Sequence, residues 1–258
     1  TSTLETDAAQ EYGATTTYDG TTPTKSATGY TYTFDGWATS ANGEKAYNDG
    51  STPTVSGAAT YYAHFTRTTN TYTITFLAKD GSQLSAGTQT YGTTLTCPTA
   101  PVISGETFTG WTGDNSTFIP EAQIGTATVP AGNVTYTATY GTDAYTIKYF
   151  VDGVEIPELE QTAYYGNPIV TPDYTPEAGK VFNGWQAVPE TVEGDTNIYG
   201  TTSWIDYTVT YYVSYADATV VQTYTGLHYG DAFPVPSNPT LAGNTFAGWD
   251  SEPATVTG

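Results

Sequence analysis

Hydrophobic and threonine residues alternate along several segments of this chain. Tyr72, Ile74 and Phe76 lie on one side of the segment 71–76, and threonines fill the positions between them. The same alternation recurs twice, at Tyr145, Ile147 and Tyr149, and at Tyr207, Val209 and Tyr211. A period of two residues is typical of a β-strand with one buried face. These segments therefore predict strands whose aromatic and aliphatic residues face a core.

A four-residue pattern, Phe-x-Gly-Trp, recurs at long spacing. Its Phe and Trp are predicted to be the structural core of each copy: Phe34 and Trp37, Phe108 and Trp111, Phe182 and Trp185, Phe246 and Trp249. A Tyr-Gly pair precedes every copy, at residues 12–13, 91–92, 165–166 and 229–230. Landmarks that keep the same order four times indicate a tandem repeat.

Each repeat is predicted to contain the same series of strands. An opening strand leads through an Asp-Gly turn, at 80–81 or 152–153, into a second strand. The Phe-x-Gly-Trp strand follows, and a closing strand such as 134–140 ends the unit. In the third copy, matching residues 197–198 to 133–134 places Trp204 where Phe65 and Tyr140 stand.

These matches predict the repeat boundaries. The second and third repeats, 71–140 and 144–204, are complete. The first, 1–66, lacks its opening strand, and the fourth, 207–258, lacks its closing strand. The chain is therefore interpreted as an excerpt of a longer array. Because the connectors are short, the predicted fold is mainly β (α+β at most), with small units in tandem forming an elongated rod.

Charge and composition exclude several classes of partner. The chain has 6 basic and 26 acidic residues, a formal net charge of −20. Such a chain cannot neutralise phosphates, so neither nucleic acid nor an anionic membrane surface is an expected partner. No apolar run approaches the roughly 20 residues of a membrane span, so no membrane insertion is expected in this segment. A single cysteine excludes an intrachain disulfide framework.

Several motifs resemble those of a known family, the Listeria–Bacteroides repeat, which is also called the internalin B-repeat. They are YTITF or YTVTY in the opening strand, AKDG or FVDG in the turn, TYG, PTAP, FTGW and the closing VTYTATY. The resemblance implies a small β-grasp-like unit in large, secreted, wall-anchored bacterial surface proteins. There the repeats serve as a stalk between a binding domain and the wall anchor. It implies no catalysis and no cofactor.

Residues that could carry chemistry are few. His64 and His228 occupy different positions in their repeats and are expected to be solvated surface residues rather than metal ligands or bases. Cys97 is expected to be an idle or buried thiol, with an intermolecular disulfide or a reactive nucleophile as the alternatives. No catalytic, cofactor-binding or metal-binding residue is predicted.

An acidic cluster surrounds the second strand of the third repeat, at Glu155, Glu158 and Glu160 with Asp152 nearby. It is expected to be a solvated edge, with a weak divalent-cation site as the alternative. A crosslink between Lys148 and an asparagine is a further alternative.

Two tyrosines, Tyr62 and Tyr212, are predicted on the outward face of their strands and are the only candidates for a binding surface. Exposed aromatic residues can contact sugars or proteins, although they also serve as cross-strand pairs. The predicted function is therefore a non-enzymatic spacer at the bacterial cell surface, attached through a region outside this chain. Its partners would be the neighbouring repeats. The alternative is an adhesin array that recognises a glycan or a host surface protein.

Overall fold

The computed structural model describes residues 2–51, 53–214, 218–250 and 253–257. The chain divides into two compact units, Thr1–Gly141 and Thr142–Gly258. Within the described residues, each unit holds two β-sheets and no α-helix. The prediction of a mainly β fold built from small units is confirmed.

The first unit contains a three-stranded and a five-stranded sheet. The smaller has the order β2-β1-β3. Its strands are β1 (Tyr30–Ala38), β2 (Lys45–Asn48) and β3 (Tyr62–Thr69). The larger has the order β5-β4-β8-β6-β7. Its strands are β4 (Thr71–Leu77), β5 (Gln83–Thr90), β6 (Glu106–Gly113), β7 (Phe118–Pro120) and β8 (Val134–Thr142).

The second unit contains a five-stranded and a two-stranded sheet. The larger has the order β10-β9-β13-β12, with β11 also paired to β9. Its strands are β9 (Ala144–Val151), β10 (Val154–Glu155), β11 (Gln161–Tyr164), β12 (Lys180–Gln186) and β13 (Thr196–Trp204). The smaller sheet pairs β14 (Tyr207–Tyr212) with β15 (Val220–Leu227).

Both five-stranded sheets are built around a parallel pair formed by the opening and closing strands of one repeat. β4 runs parallel to β8, and β9 runs parallel to β13. Parallel strands need a long crossover, which here holds the Phe-x-Gly-Trp strand and short 3₁₀ turns, such as Glu121–Gln123. The order resembles a β-grasp sheet whose helix is replaced by turns and loops.

A β-bulge explains why the Phe and the Trp of the motif meet. In a regular strand, residues three apart point to opposite faces. β1 skips a residue against β3, since Phe34 pairs with Phe65 and Gly36 pairs with His64. The extra residue brings Phe34 and Trp37 to the same face.

Glycine is required at the bulge because backbone passes close to it. A Cβ on Gly36 would overlap the carbonyl oxygen of Tyr47, and one on Gly110 would overlap that of Ile119. The equivalent Gly184 and Gly248 also have positive φ, at 95° and 132°.

The motif aromatics form the same edge-to-face contact in all four repeats. Their ring centroids are 5.0–5.3 Å apart. The opening strand adds a third ring, which lies 4.6–4.9 Å from the Trp: Phe76 on Trp111, Tyr149 on Trp185 and Tyr211 on Trp249. Trp111 is fully buried, whereas the other three motif tryptophans are partly buried.

The first repeat obtains its third ring from outside a strand. Residues 2–29 contain no described strand, but Tyr18 lies edge-on to Trp37 at 4.9 Å. An irregular segment therefore supplies the aromatic contact that an opening strand supplies elsewhere.

The fourth motif copy is not in a strand, contrary to the sequence prediction. Residues 246–249 have irregular backbone, although Phe246 and Trp249 keep their ring contact. In the other three copies this segment pairs with a closing strand, and the described residues 253–257 contain no such strand.

The predicted alignment of the third closing strand is wrong by two residues. Phe182 pairs with Thr202, as Phe34 pairs with Phe65. Thr202, not Trp204, therefore occupies the position of Phe65. Trp204 instead pairs with Lys180 and is 48% exposed. Matching residues 197–198 to 133–134 gave the wrong alignment because the residue equivalent to Asn133 in the third repeat is Asp195, not Asn197. Asn133 accepts the Thr73 amide, and Asp195 accepts the equivalent Thr146 amide, each at 2.8 Å.

Candidate functional site

The two histidines lie in different units, and each is engaged by a neighbouring carboxylate. His64 Nδ1 is 2.6 Å from Asp35 Oδ1, and Asp35 Oδ2 also accepts a hydrogen bond from Thr66 Oγ1. His228 Nε2 is 3.2 Å from Asp206 Oδ1, and its ring stacks on Trp204 at 5.3 Å. Among the residues that the structure describes, no three His, Cys, Asp or Glu side chains are grouped to hold a metal ion.

Cys97 packs against the core of the second repeat. Its Sγ lies 4.0 Å from the Leu95 carbonyl oxygen. Burial raises the pKa of the thiol, which disfavours the reactive thiolate. The environment therefore fits an idle thiol better than a nucleophile.

The acidic cluster of the third repeat surrounds a lysine. Lys148 Nζ lies 2.9 Å from Glu155 Oε1 and 3.8 Å from Glu160 Oε2. The hydrogen bond with Glu155 is the main reason that the pKa of Lys148 is raised. Glu158 lies in the 3₁₀ turn Pro157–Leu159. Asn197 is the strand partner of Lys148, but the ammonium is directed to carboxylates, and a crosslink stays a prediction.

Asp152 lies in the predicted Asp-Gly turn, and its side chain is hydrogen-bonded to the closing strand. Asp152 and Gly153 both have positive φ, at 50° and 85°, as expected for a tight Asp-Gly turn. In the turn at 80–81, Gly81 has positive φ and Asp80 does not. The Asp152 carboxylate accepts hydrogen bonds from the Thr202 hydroxyl and from the Thr202 amide, the latter at 2.9 Å. These bonds lower the pKa of Asp152.

The third repeat is therefore expected to lose stability in acid through Asp152. A carboxyl group with a lowered pKa in the folded state stabilises the fold above its ordinary pKa of about 3.9. That contribution is lost as the pH falls through the folded-state value. Amide exchange of β13 between pH 6 and pH 3 would measure it. Asp152→Asn should reduce this acid dependence, whereas the exposed Asp173→Asn should leave it unchanged. Equal effects of the two variants would contradict this role of Asp152.

In the first unit, the junction between the first two repeats consists of one linker residue and one tyrosine. Asn70 alone separates β3 from β4. Its amide donates to the Gly29 carbonyl at 3.0 Å, and its own carbonyl accepts the Tyr91 amide at 2.9 Å. The Tyr91 ring lies edge-on to Tyr30 of the first repeat and Tyr72 of the second, at 5.6 and 6.4 Å. One tyrosine of the Tyr-Gly pair thus joins both repeats.

Glycine is required on the other side of this junction. Gly29 has a φ of 80°, and a Cβ on it would overlap the Tyr91 ring. The second unit repeats the arrangement, because Gly179 has a φ of 81° and a Cβ there would overlap Tyr229. The Ile205 amide donates to the Gly179 carbonyl at 2.8 Å, as Asn70 does to Gly29. The recurring Tyr-Gly pair was the sequence signal for this contact, but its role in joining repeats was missed.

Tyr62 and Tyr212 are the tyrosines predicted as binding residues. Their equivalents in the third repeat are Tyr199 and Phe150, whose rings are in contact. Tyr62 pairs with Ala38, and the equivalent pair in the third repeat is Tyr199 with Gln186. Tyr212 is equivalent to Phe150, since both lie five residues after the first inward tyrosine of their strands. Tyr62 is half-buried, and Tyr212 is 48% exposed.

All six basic side chains already have a partner. Four lie over aromatic rings: Lys25 over Tyr32, Arg67 over Tyr30, Lys79 over Tyr140 and Lys180 over Trp204. The other two, Lys45 and Lys148, face carboxylates. The net charge is −20, and the residues that the structure describes form no cationic cluster for an anionic ligand.

Small β-sheets joined by recurring Gly–Tyr junctions define a tandem β-repeat protein. The family model of the Listeria-Bacteroides repeat domain matches residues 2–64, 72–139 and 207–257, which is more than half of the chain. The chain therefore belongs to the Listeria–Bacteroides repeat family.

Three of the similar proteins come from Evansella cellulosilytica and Listeria monocytogenes. A "Putative Gly-rich membrane protein" and a "Putative membrane protein" of Evansella cellulosilytica are each 28% identical to this chain, over 231 and 241 residues. These alignments cover 84% and 86% of this chain. Internalin H of Listeria monocytogenes is 37% identical over 120 residues, which are 46% of this chain.

The aligned regions are small parts of these relatives. They span 26% and 34% of the Evansella proteins and 20% of Internalin H. Over the described part of this chain, no helix has the length and apolar character needed to cross a membrane.

Proposed function

We propose that this chain is a non-catalytic spacer in a bacterial cell-surface protein, where it presents a distal binding domain. The observation that carries the proposal is the Gly–Tyr junction, which recurs in both units and adds backbone hydrogen bonds between adjacent repeats. Family membership and the relatives named as membrane proteins or as an internalin support the surface location. Attachment would use a region outside this chain.

The junction suits a spacer because it restricts bending between neighbours. A single linker residue, Asn70, has both its amide and its carbonyl occupied by backbone partners. The Tyr91 ring fills the remaining space beside Gly29. Stability of such an array is approximately a sum of repeat and interface contributions, so each junction adds both stiffness and stability.

The surface chemistry suits a spacer as well. Net negative charge keeps copies of the chain apart. It also discourages edge-to-edge pairing of the sheets, since charged residues on sheet edges oppose it. His64, His228 and Cys97 each have structural partners of their own within their units, which favours a non-catalytic role.

Small-angle scattering of the full chain tests the spacer proposal. A compact globule of 258 residues would have a radius of gyration of about 18 Å. Four units end to end, each about one eight-residue strand or ~26 Å long, would reach ~105 Å. The radius of gyration of such a rod is about 30 Å, which is the expected result. A value near 18 Å would contradict the proposal.

A further inference from the structure

Two aromatic rings stack on the outward face of the third repeat. Phe150 of β9 and Tyr199 of β13 are direct strand partners, with ring centroids 5.2 Å apart and planes 27° apart. Their chain neighbours Tyr149 and Ile198 are fully buried. Because side chains alternate along a strand, Phe150 and Tyr199 point away from the core. Tyr199 remains 50% exposed.

Polar residues extend this pair into a row across four strands. Phe150 is also paired with Glu155 on β10, and Tyr199 is also paired with Gln186 on β12. Neighbouring strands lie about 4.8 Å apart, so the row is ~14 Å long. A carboxylate stands at one end, two rings occupy the middle, and an amide stands at the other end.

A hydroxyl and amide network lies beside the row. Gln186 Nε2 and Asn183 Nδ2 both donate to Thr201 Oγ1 at 3.3 Å, and Ser203 Oγ donates to Asn183 Oδ1 at 3.1 Å. These bonds are long and exposed, so a ligand's hydroxyl groups can replace them at little cost. On the opposite side, Lys148 is held by Glu155 and Glu160.

We propose that this outward face of the third repeat, centred on Phe150 and Tyr199, binds a neutral polysaccharide of β-linked hexoses or N-acetylhexosamines. The C–H face of a pyranose packs on aromatic rings, while its hydroxyl groups pair with amides, hydroxyls and carboxylates. The two rings supply an apolar contact surface, and the hydroxyl, amide and carboxylate groups beside them supply hydrogen-bond partners. The proposal goes beyond the spacer function and does not depend on it.

Charge selects a neutral ligand over an anionic one. Within the described residues, the cation beside the row is Lys148, which is already paired with two carboxylates. The net charge of −20 further repels polyanions.

The second repeat shows that the fold does not require these rings. Its equivalent strand pair is Leu77 and Thr137. The family-model matches leave out residues 140–206, the part of the chain that carries Phe150 and Tyr199. The second repeat lacks the stacked pair, and its Leu and Thr are a replacement pair that the sheet tolerates.

The test uses the full chain and amide NMR titrations with cellohexaose, laminarihexaose and N-acetylated chitohexaose. At least one probe should shift amides of β9, β12 and β13 in a saturable manner. The double variant Phe150→Leu with Tyr199→Thr, which copies the second repeat, should weaken that binding at least tenfold. Tyr164→Thr should leave it unchanged, because Tyr164 is exposed but pairs with Ala144 at the far end of β9.

Three results would overturn the proposal. They are the absence of saturable shifts with all three probes, undiminished binding by the double variant, and equally tight binding of an anionic hexagalacturonate. Amide spectra of the double variant, with β9 and β13 signals in place, would show that its sheet remains folded. If that sheet were lost, the single variant Tyr199→Thr would replace it, and undiminished binding would again count against the proposal.

Discussion

Replacing Trp111 by alanine is expected to unfold much of the second repeat at room temperature. Trp111 is the largest fully buried side chain and contacts the rings of Phe76 and Phe108. Truncating a buried tryptophan to alanine costs about 3–5 kcal/mol. A unit of roughly 70 residues has only about 4–10 kcal/mol of stability, so this single change removes a large share of it. Exchange of the central amides of β4 and β8 would measure the loss.

Trp204→Ala is the matched control. Trp204 is 48% exposed, and its ring and cation contacts within the described residues are with His228 and Lys180. Its removal should cost about 1 kcal/mol or less. A cost for Trp204→Ala equal to that for Trp111→Ala would contradict the placement of these two residues relative to the core.

Gly29→Ala is expected to release the junction between the first two repeats. A Cβ at this position cannot coexist with the Tyr91 ring, so the ring must move away. The Asn70 amide would then lose its partner, the Gly29 carbonyl. Its hydrogen exchange should accelerate at least about tenfold, which corresponds to about 1.4 kcal/mol.

Gly13→Ala separates backbone strain from the loss of the contact. Gly13 has a φ of 82°, nearly that of Gly29, but a Cβ there would meet no atom within 4 Å. Both variants carry the left-handed backbone cost of about 1–2 kcal/mol, and only Gly29→Ala displaces Tyr91. Gly179→Ala and Gly166→Ala form the corresponding pair in the second unit. Equal acceleration of Asn70 exchange by Gly29→Ala and Gly13→Ala would show that the Tyr91 contact does not stabilise the junction.

The mainly β fold could be predicted from the sequence because its signals are local. Alternation at Tyr72, Ile74 and Phe76 specifies a strand and its buried face without knowledge of any partner strand. The family could be predicted for a similar reason, since its motifs keep a fixed order along the chain. Repeat boundaries and the roles of Tyr62 and Tyr212 in binding stay predictions.

The features that the sequence did not reveal depend on register between distant strands. The bulge before Gly36 changes which residues of β1 share a face. No local sequence pattern shows that one residue of β1 has no partner of its own on β3. Asp195 replaces Asn133 as the acceptor for a strand amide, and this exchange shifted the predicted third closing strand by two residues. The same shift hid the contact of Tyr199 with Phe150. Tyr18 was missed because it lies in an irregular segment.

Residual dipolar couplings on the unmodified full chain test most directly whether adjacent repeats form a stiff spacer. Amides of β1 and β3 report the orientation of the first repeat, and amides of β4 and β8 report that of the second. If the Gly29–Tyr91 junction holds the two repeats as one body, all of these couplings will fit a single alignment tensor. Two independent tensors, with a smaller magnitude for one repeat, would show that the repeats move separately and would contradict the spacer mechanism.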